Sequence, residues 1–210
     1  MISDELERYL QEHSSPPCET LRNLERKTYL ETLFPRMMSG HIQGKFLEMI
    51  SFMIRPLRIL EIGTFTGYGA VSLAKGLPEN GLLVTIEQNR ELEDTIREVL
   101  HKAGLSARVN LILGNARHEI ERLDDTFDLV FIDADKENYS LYYDLVFDKV
   151  KQGGFILADN VLWSQKVIDP QFNDVETKAM REFNKKVAGD ERVEQVLLPM
   201  RDGLMLIRKI

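Results

Sequence analysis

Apolar and polar positions change their rhythm once along the chain, near Arg58. Before that point apolar residues recur every three or four positions, the period of a helix. Ser3 to Gln11 reads as one short helix, Thr20 to Phe34 as a second and His41 to Ile54 as a third. In the second, Leu30, Leu33 and Phe34 have the i, i+3, i+4 spacing of one face, and Leu21 and Leu24 pair one turn apart. In the third, Phe46, Leu47, Ile50 and Ile54 share a face. Pro35 and Pro56 mark the breaks.

From Arg58 onward short apolar runs alternate with amphipathic stretches. The runs are RILEI (58–62), LLVTIE (82–87), RVNLIL (108–113), FDLVFID (127–133) and GFILAD (154–159). Helical patterns cover about 67–77, 90–103, 115–122 and 137–150 between them. Runs apolar on both faces suit parallel strands covered by helices on both sides. Crossovers of this length make such a sheet right-handed and doubly wound. The last part differs. A helix at about 173–188 precedes VEQVLLPM and GLMLIRKI, joined by Arg201-Asp202-Gly203. Asp-Gly between apolar runs signals a hairpin, so the sheet should end in an antiparallel pair. The expectation is an α/β chain of one domain with a seven-stranded, mostly parallel sheet.

Composition narrows the class. A chain of 210 residues, 43% hydrophobic and 29% charged, suits one globular domain. The acidic, amphipathic start MISDELERYLQEH lacks the basic-then-apolar order of a signal peptide. No apolar run approaches the ~20 residues of a membrane span. The single cysteine, Cys18, excludes an internal disulfide and fits a reducing cytoplasm. A net charge of -7 argues against a dedicated nucleic-acid coat. The four histidines are scattered, without zinc-like spacing.

Candidate chemistry gathers at the strand ends, where open α/β sheets bind ligands. After the first strand, LEIGTFTGYGAVSLA places Gly63, Gly67 and Gly69 in a glycine-rich turn opening a helix. The spacing is not GxGxxG, so a nicotinamide fingerprint fails. The turn still admits close ligand approach, and a helix N-terminus offers N–H groups to a carboxylate. Glu61 lies inside the strand, either as a structural acid or as the partner of an ammonium. Glu87 ends the second strand, as a solvated acid or as a ribose ligand. Together these features suit a ligand with an amine, a carboxylate and a ribose. S-adenosylmethionine has all three.

The fourth strand ends in Asp133 and the fifth in Asp159-Asn160. As parallel neighbours ~4.8 Å apart, these strands would deliver both clusters to one edge. Two carboxylates and an amide suit a hard cation such as Mg²⁺ or Ca²⁺. A turn and a helix cap are the plainer reading of the same residues. Lys136 would assist a bound phenol's deprotonation, or would simply offset Asp135 and Glu137 at the surface. Trp163, the only tryptophan, is either a flat wall for an aromatic substrate or a loop anchor.

Taken together, EIGTFTGYGAVSLA, TIEQN, DLVFIDADKENY and ADNVLW resemble the cation-dependent class I S-adenosylmethionine O-methyltransferases, in order and spacing. That family includes catechol O-methyltransferase, the plant caffeoyl-CoA enzymes and many bacterial relatives. The likeness is greatest to the caffeoyl-CoA-like and bacterial branch and covers roughly residues 35–210. It implies a Rossmann-like methyltransferase fold, with residues 1–56 as helices serving the site or a dimer interface and 57–210 as the core. It implies Asp133, Asp159 and Asn160 as metal ligands, with Mg²⁺ first and Ca²⁺ or Mn²⁺ as alternatives. Lys136 would be the catalytic lysine beside Asp133, and Trp163 a substrate-side aromatic. Met37, Ser39, Glu61 and Gly63 would meet the cofactor, with Phe65, Gly67, Tyr68 and Gly69 of the turn. Glu87 would hold the ribose and Ala116 the adenine region, and Asp133 and Asp135 would line the same pocket. One departure stands out: the family often has Ser where this chain has Gly69.

The acceptor is then expected to be an aromatic vicinal diol, a catechol or caffeoyl-type ester, and the assembly a homodimer. A competing acceptor is a hydroxylated uridine in transfer RNA, served by a patch of Lys45, Arg55, Arg58, Lys166, Lys178 and Arg181. A binding module that has lost its chemistry would also have lost ligands or the lysine, and all four positions are filled.

Overall fold

Strand order decides where anything can bind. The computed structural model describes residues 3–210; Met1 and Ile2, which begin the acidic N-terminal stretch, lie outside them. Three helices come first: α1 (Asp4–Glu12), α2 (Glu19–Glu31) and α3 (Gly40–Ile54). The alternating part follows as β1 (Arg58–Ile62), α4 (Tyr68–Ala74), β2 (Leu82–Glu87), α5 (Glu93–Lys102), β3 (Val109–Leu113), α6 (Ala116–Arg122), β4 (Phe127–Ile132), α7 (Tyr139–Phe147) and β5 (Val150–Asp159). It closes with α8 (Val175–Ala188), β6 (Val193–Leu198) and β7 (Leu204–Lys209). The seven-stranded sheet has the order β3-β2-β1-β4-β5-β7-β6. β1 to β5 are parallel, and β7 runs antiparallel to both β5 and β6. The chain winds outward from β1 in one direction, then returns to wind outward from β4 in the other. The crevice of such a sheet opens at that reversal, beyond the C-terminal ends of β1 and β4.

Side chains alternate faces along each strand, and the core divides accordingly. Leu60, Ile62, Val130, Ile132 and Ile156 pack with Tyr139, Tyr143 and Phe183 of α7 and α8. Ile59, Leu83, Leu129, Phe131 and Leu157 pack on the other face with α2, α3, α4 and α5. Both faces are covered, which is why the strand runs read as continuously apolar. Among the described residues no helix is long and apolar enough to cross a membrane.

Several expected boundaries move. The second helix stops at Glu31, not Phe34. Thr32 is extended and Phe34 leaves the helical region ahead of Pro35, as the ring of a following proline demands. The face proposed from Leu30, Leu33 and Phe34 therefore does not form; these residues are 75%, 91% and 68% exposed. Leu21 and Leu24 are the pair that α2 buries. β5 begins at Val150, four residues before the apolar run, because Lys151 to Gly154 are carried through an irregularity opposite β4. The helix expected from 137 is a single tight turn, Lys136–Asn138, followed by α7. α4 ends at Ala74, short of 77.

β1 and β4 meet most closely where the crevice begins. Asp133 N–H donates to the Ile62 carbonyl at 2.9 Å, and Gly63 has φ 92°. A Cβ on Gly63 would lie 2.0 Å from the backbone oxygen of Asp133. Neither backbone can give way, and the φ disfavours any L side chain. Gly63→Ala is expected to destabilise the fold by more than about 2 kcal/mol, measured by urea unfolding. An alanine variant as stable as the wild type would mean that this approach is looser than described.

Candidate active site

The crevice is lined first by the turn after β1. Phe65 and Gly67 both take positive φ, at 50° and 96°. Gly67 N–H closes the turn on the Thr64 carbonyl at 2.9 Å, and Gly67 then caps α4. Phe65 N–H is donated to Glu87 Oε2 at 2.7 Å, while Glu87 Oε1 accepts from Asn89 N–H at 2.8 Å. Glu87 thus ties the end of β2 to the turn. A small hollow lies over it, bordered by Met37, Ser39, Glu61, Gly63, Phe65, Tyr68, Gly69 and Asp133. Ser39 is buried and Met37 exposed.

Glu61 is the unusual member. It is 1% exposed, and the one hydrogen bond it accepts among the described residues comes from Thr85 Oγ1 to Oε2, at 2.5 Å. Since Thr85 gives its proton to Glu61, Thr64 must donate in turn to Thr85, across 2.5 Å. Oε1 fills the space that a Cβ on Gly69 would take, 2.4 Å away. Gly69 and this carboxylate are therefore matched. Burial pushes the carboxyl up to about 8, against one opposing hydrogen bond and helped by Asp133 and Glu87 nearby. A buried acid with so little compensation fits a cationic group arriving from the hollow.

The second cluster lies one strand away. Ile132 pairs with Ala158, so Asp133 and Asp159 follow side by side from β4 and β5. Asp159 is 3% exposed. Its Oδ2 accepts from Gln43 Nε2 at 2.7 Å and its Oδ1 from Asn160 N–H at 2.8 Å. Burial, then the charge of Asp133, pushes it up to about 7. Asn160 turns the chain with φ 59°. Two neighbouring carboxylates, with the Asn160 amide next in the chain, form a donor set that fits a hard divalent cation.

Lys136 Nζ donates to Asp133 Oδ1 at 3.2 Å and to Tyr139 Oη at 2.8 Å. It also lies 4.8 Å from the Tyr139 ring centroid and 6.0 Å from that of Trp163. Burial first, then Asp133 and Asp159, holds the Tyr139 phenol far above its ordinary range, so it stays neutral. A second cavity, about 490 Å³, is lined by Asp135, Lys136, Trp163, Asn115, Gln88 and Glu176. Asp135 borders this cavity and not the hollow over the glycine turn; its carboxylate is held by Tyr142 and Asn138. Ala116 opens α6 and packs into the core beside Asn115.

The O-methyltransferase family model matches residues 11–210. The chain belongs to this family. It is 34% identical to a caffeoyl-CoA O-methyltransferase of Petroselinum crispum over 221 residues, covering 99% of this chain and 92% of that protein. Its fold matches the O-methyltransferase of Bacillus cereus in complex with SAH, with TM-score 0.92, 29% identity and coverage of 98% and 97% of the two chains. TomG of Streptomyces achromogenes, an O-methyltransferase in tomaymycin synthesis solved with SAM, gives TM-score 0.92 and 29% identity over 100% and 99%. The chain is a class I, S-adenosylmethionine-dependent O-methyltransferase.

Within this O-methyltransferase, sequence reading missed four side chains that hold the site together. Gln43 reaches Asp159, and Tyr139 holds Lys136. Arg181 donates to the carbonyls of Lys166, Val167, Asp169 and Phe172, pinning the loop that follows Trp163. Arg201 does the same for Arg36, Met38 and Ser39. Tyr139 lay inside DLVFIDADKENY, Arg201 inside the hairpin signal and Arg181 in the basic patch, but nothing local showed which groups these side chains, or Gln43, would reach.

The Glu61 geometry has a measurable consequence for the unliganded protein. In the fold this carboxyl keeps its proton to about 8, while an unfolded one loses it near 4.5. The folded state binds more protons between those values, so stability falls as pH rises through that window. The loss from this group is at most about 1.4 kcal/mol per pH unit. Glu61→Gln keeps an acceptor for Thr85 and cannot ionise. Its urea-unfolding free energy is expected to fall less than that of the wild type between pH 5 and 8. Equal slopes for the two proteins would show that burial does not hold the proton on Glu61.

Proposed function

We propose that this O-methyltransferase methylates a hydroxyl of an aromatic vicinal diol, a catechol or caffeoyl-type ester, with the help of a divalent cation. The observation that carries the reading is the shared edge of β4 and β5. There the Asp133 and Asp159 carboxylates lie beside Asn160, with the Lys136 ammonium 3.2 Å from Asp133. Asp133, Asp159 and Asn160 would hold the cation. When bound, Mg²⁺ or a similar ion would supply Lewis acidity that lowers the pKa of an acceptor hydroxyl. S-adenosylmethionine would supply an electrophilic methyl group from the hollow over Gly63.

The protein's own residues do the rest. Glu61, buried and under-compensated, would pair with the cofactor's ammonium, and Glu87 would face its ribose. Lys136, once its ammonium has released a proton to water, would take the acceptor's proton as a free amine; Tyr139 and Asp133 hold its Nζ in place. Trp163 would stack against the ring of the acceptor and keep water from the reacting oxygen. Fixing donor and acceptor in line is the largest expected gain, about 7–11 kcal/mol of barrier at best.

The RNA alternative loses support because four of its six basic residues, all but Arg55 and Lys178, are engaged within the protein. Lys45 pairs with Glu48, Arg58 with Asp125 and Lys166 with Asp174, and Arg181 is occupied by loop carbonyls. The homodimer, the native cation and a cytoplasmic location remain parts of this reading, and the exposed apolar side chains Met49, Phe52 and Met53 of α3 suit a contact between copies.

The test is a labelled-methyl transfer screen over diphenols and RNA, with Mg²⁺ and with EDTA. Transfer to a simple catechol should appear with Mg²⁺ and vanish with EDTA. Asp133→Ala should lose at least about 100-fold in rate while still binding cofactor. Lys136→Met should cost about 100- to 10,000-fold in kcat. Equal transfer by metal-free and metal-loaded protein would end the cation assignment, and transfer to RNA alone would end the diphenol one.

A further inference from the structure

The hairpin turn between β6 and β7, Arg201-Asp202-Gly203, reaches three separate parts of the site. Its first contact is with the wall of the cofactor hollow. Arg201 has φ 49°, and its guanidinium donates to the carbonyls of Met38 at 3.1 Å, Arg36 at 3.3 Å and Ser39. Its second contact is with the Gln43 side chain, whose Oε1 accepts from Arg201 at 2.7 Å. Its third is with the loop that carries Trp163. Val161 N–H donates to the Gly203 carbonyl at 3.1 Å and Leu162 N–H to the Asp202 carbonyl at 2.9 Å, and Ser164 N–H donates to the Asp202 carboxylate. Gly203 is required there, since a Cβ would lie 2.5 Å from Leu162 Cγ and 2.8 Å from its nitrogen, at φ 88°.

Gln43 passes the contact onward. It is 1% exposed, and its Nε2 donates to Asp159 Oδ2 at 2.7 Å. The chemistry leaves the amide one orientation. A guanidinium has only donors and an ionised carboxylate only acceptors, so the amide oxygen must face Arg201 and the nitrogen must face Asp159. Arg201 therefore fixes which end of Gln43 Asp159 meets. With Asn160 N–H on the other oxygen, the plane of the Asp159 carboxylate is set from both sides.

We propose that Arg201 and Gln43 are positioning residues that set the Asp159 carboxylate for cation binding and couple it to the Arg36–Ser39 wall of the cofactor hollow. The proposal rests on the reading of Asp159 as a cation ligand. Partners of this kind orient metal ligands, and their removal typically lowers metal affinity about 10- to 100-fold. A purely structural staple would leave the metal affinity of a folded variant alone.

The experiment is a titration of Mn²⁺ into the full chain, followed by the electron paramagnetic resonance signal of free Mn²⁺, with and without S-adenosylhomocysteine. Thermal unfolding monitors the fold. Gln43→Met keeps the size and removes the amide; it should weaken Mn²⁺ binding about 10- to 100-fold and leave S-adenosylhomocysteine affinity within about twofold. Gln43→Glu keeps an acceptor for Arg201 but faces Asp159 with a second acceptor. It should lose at least as much Mn²⁺ affinity as Gln43→Met. Arg201→Lys, which cannot serve four acceptors at once, should weaken both ligands. The Mn²⁺ effects of Arg201→Lys and Gln43→Met should combine less than additively, as for residues in one chain of contacts. Wild-type Mn²⁺ affinity in folded Gln43→Met and Gln43→Glu proteins would overturn the proposal and leave the cation reading standing. A wild-type protein that binds no Mn²⁺ would instead remove the cation reading, and this proposal with it.

Discussion

The burial of carboxylates at the C-terminal edge of the sheet is the constraint around which the rest is built. Glu61 and Asp159 are both removed from water, and an ionised carboxylate there is costly without partners. The fold supplies partners sparingly. A threonine relay serves Glu61, and one amide and one backbone N–H serve Asp159. The remaining cost is visible in the upward displacement of both acids. A protein concerned only with stability would place apolar side chains there. Acids held this way are better understood as half of an interaction, the other half arriving with cationic ligands.

Sheet topology explains why these acids meet. β1 and β4 are neighbours at the point where the winding reverses, and β5 follows β4 on the other side. Glu61 comes from inside β1, Asp133 from just past β4, and Asp159 from the end of β5. Three strands thus deliver three carboxylates to adjoining positions without a loop having to find its own path. The Trp163 loop and the Arg36–Ser39 segment are attached to this scaffold by side chains from elsewhere in the chain. Arg181 and Arg201 attach them through backbone carbonyls, which any sequence provides. The scaffold is thereby separated from the surfaces that would choose the acceptor.

The same separation explains what could be read in advance. β1 and β2 have the limits of their apolar runs, since strands buried on both faces write themselves into composition. Asp133, Lys136, Asp159 and Asn160 stood out as candidate chemistry because they end such runs or come shortly after them. The end of α2 was not, because Leu30, Leu33 and Phe34 keep a helical spacing that Pro35 overrides. The start of β5 was hidden by Gly153-Gly154 and the shifted register beside them. Gln43 and Arg201 were invisible in a stronger sense. Gln43 lies 116 residues from Asp159, and although Arg201 sits in the hairpin signal, nothing local shows where either side chain reaches. Local pattern reports periodicity and turn chemistry; it does not report which distant polar groups converge.

Charge balance ties these threads together. Glu61, Asp133 and Asp159 bring three carboxyls to one edge, and Lys136 brings a single ammonium, already shared with Tyr139. Asp133 acts on both of the others, raising Glu61 and Asp159 alike. On the proposed reading a dication at Asp133 and Asp159 would relieve that repulsion, and so would ease ionisation of Glu61 on the cofactor side. An ionised Glu61 would then be ready to pair with the cofactor's ammonium, although the two cationic ligands would still repel one another directly. Lys136 could not supply this balance alone, since one ammonium faces three carboxyls. The substitution-sensitive element is therefore Asp133, which faces the hollow, the neighbouring acid and the lysine at once.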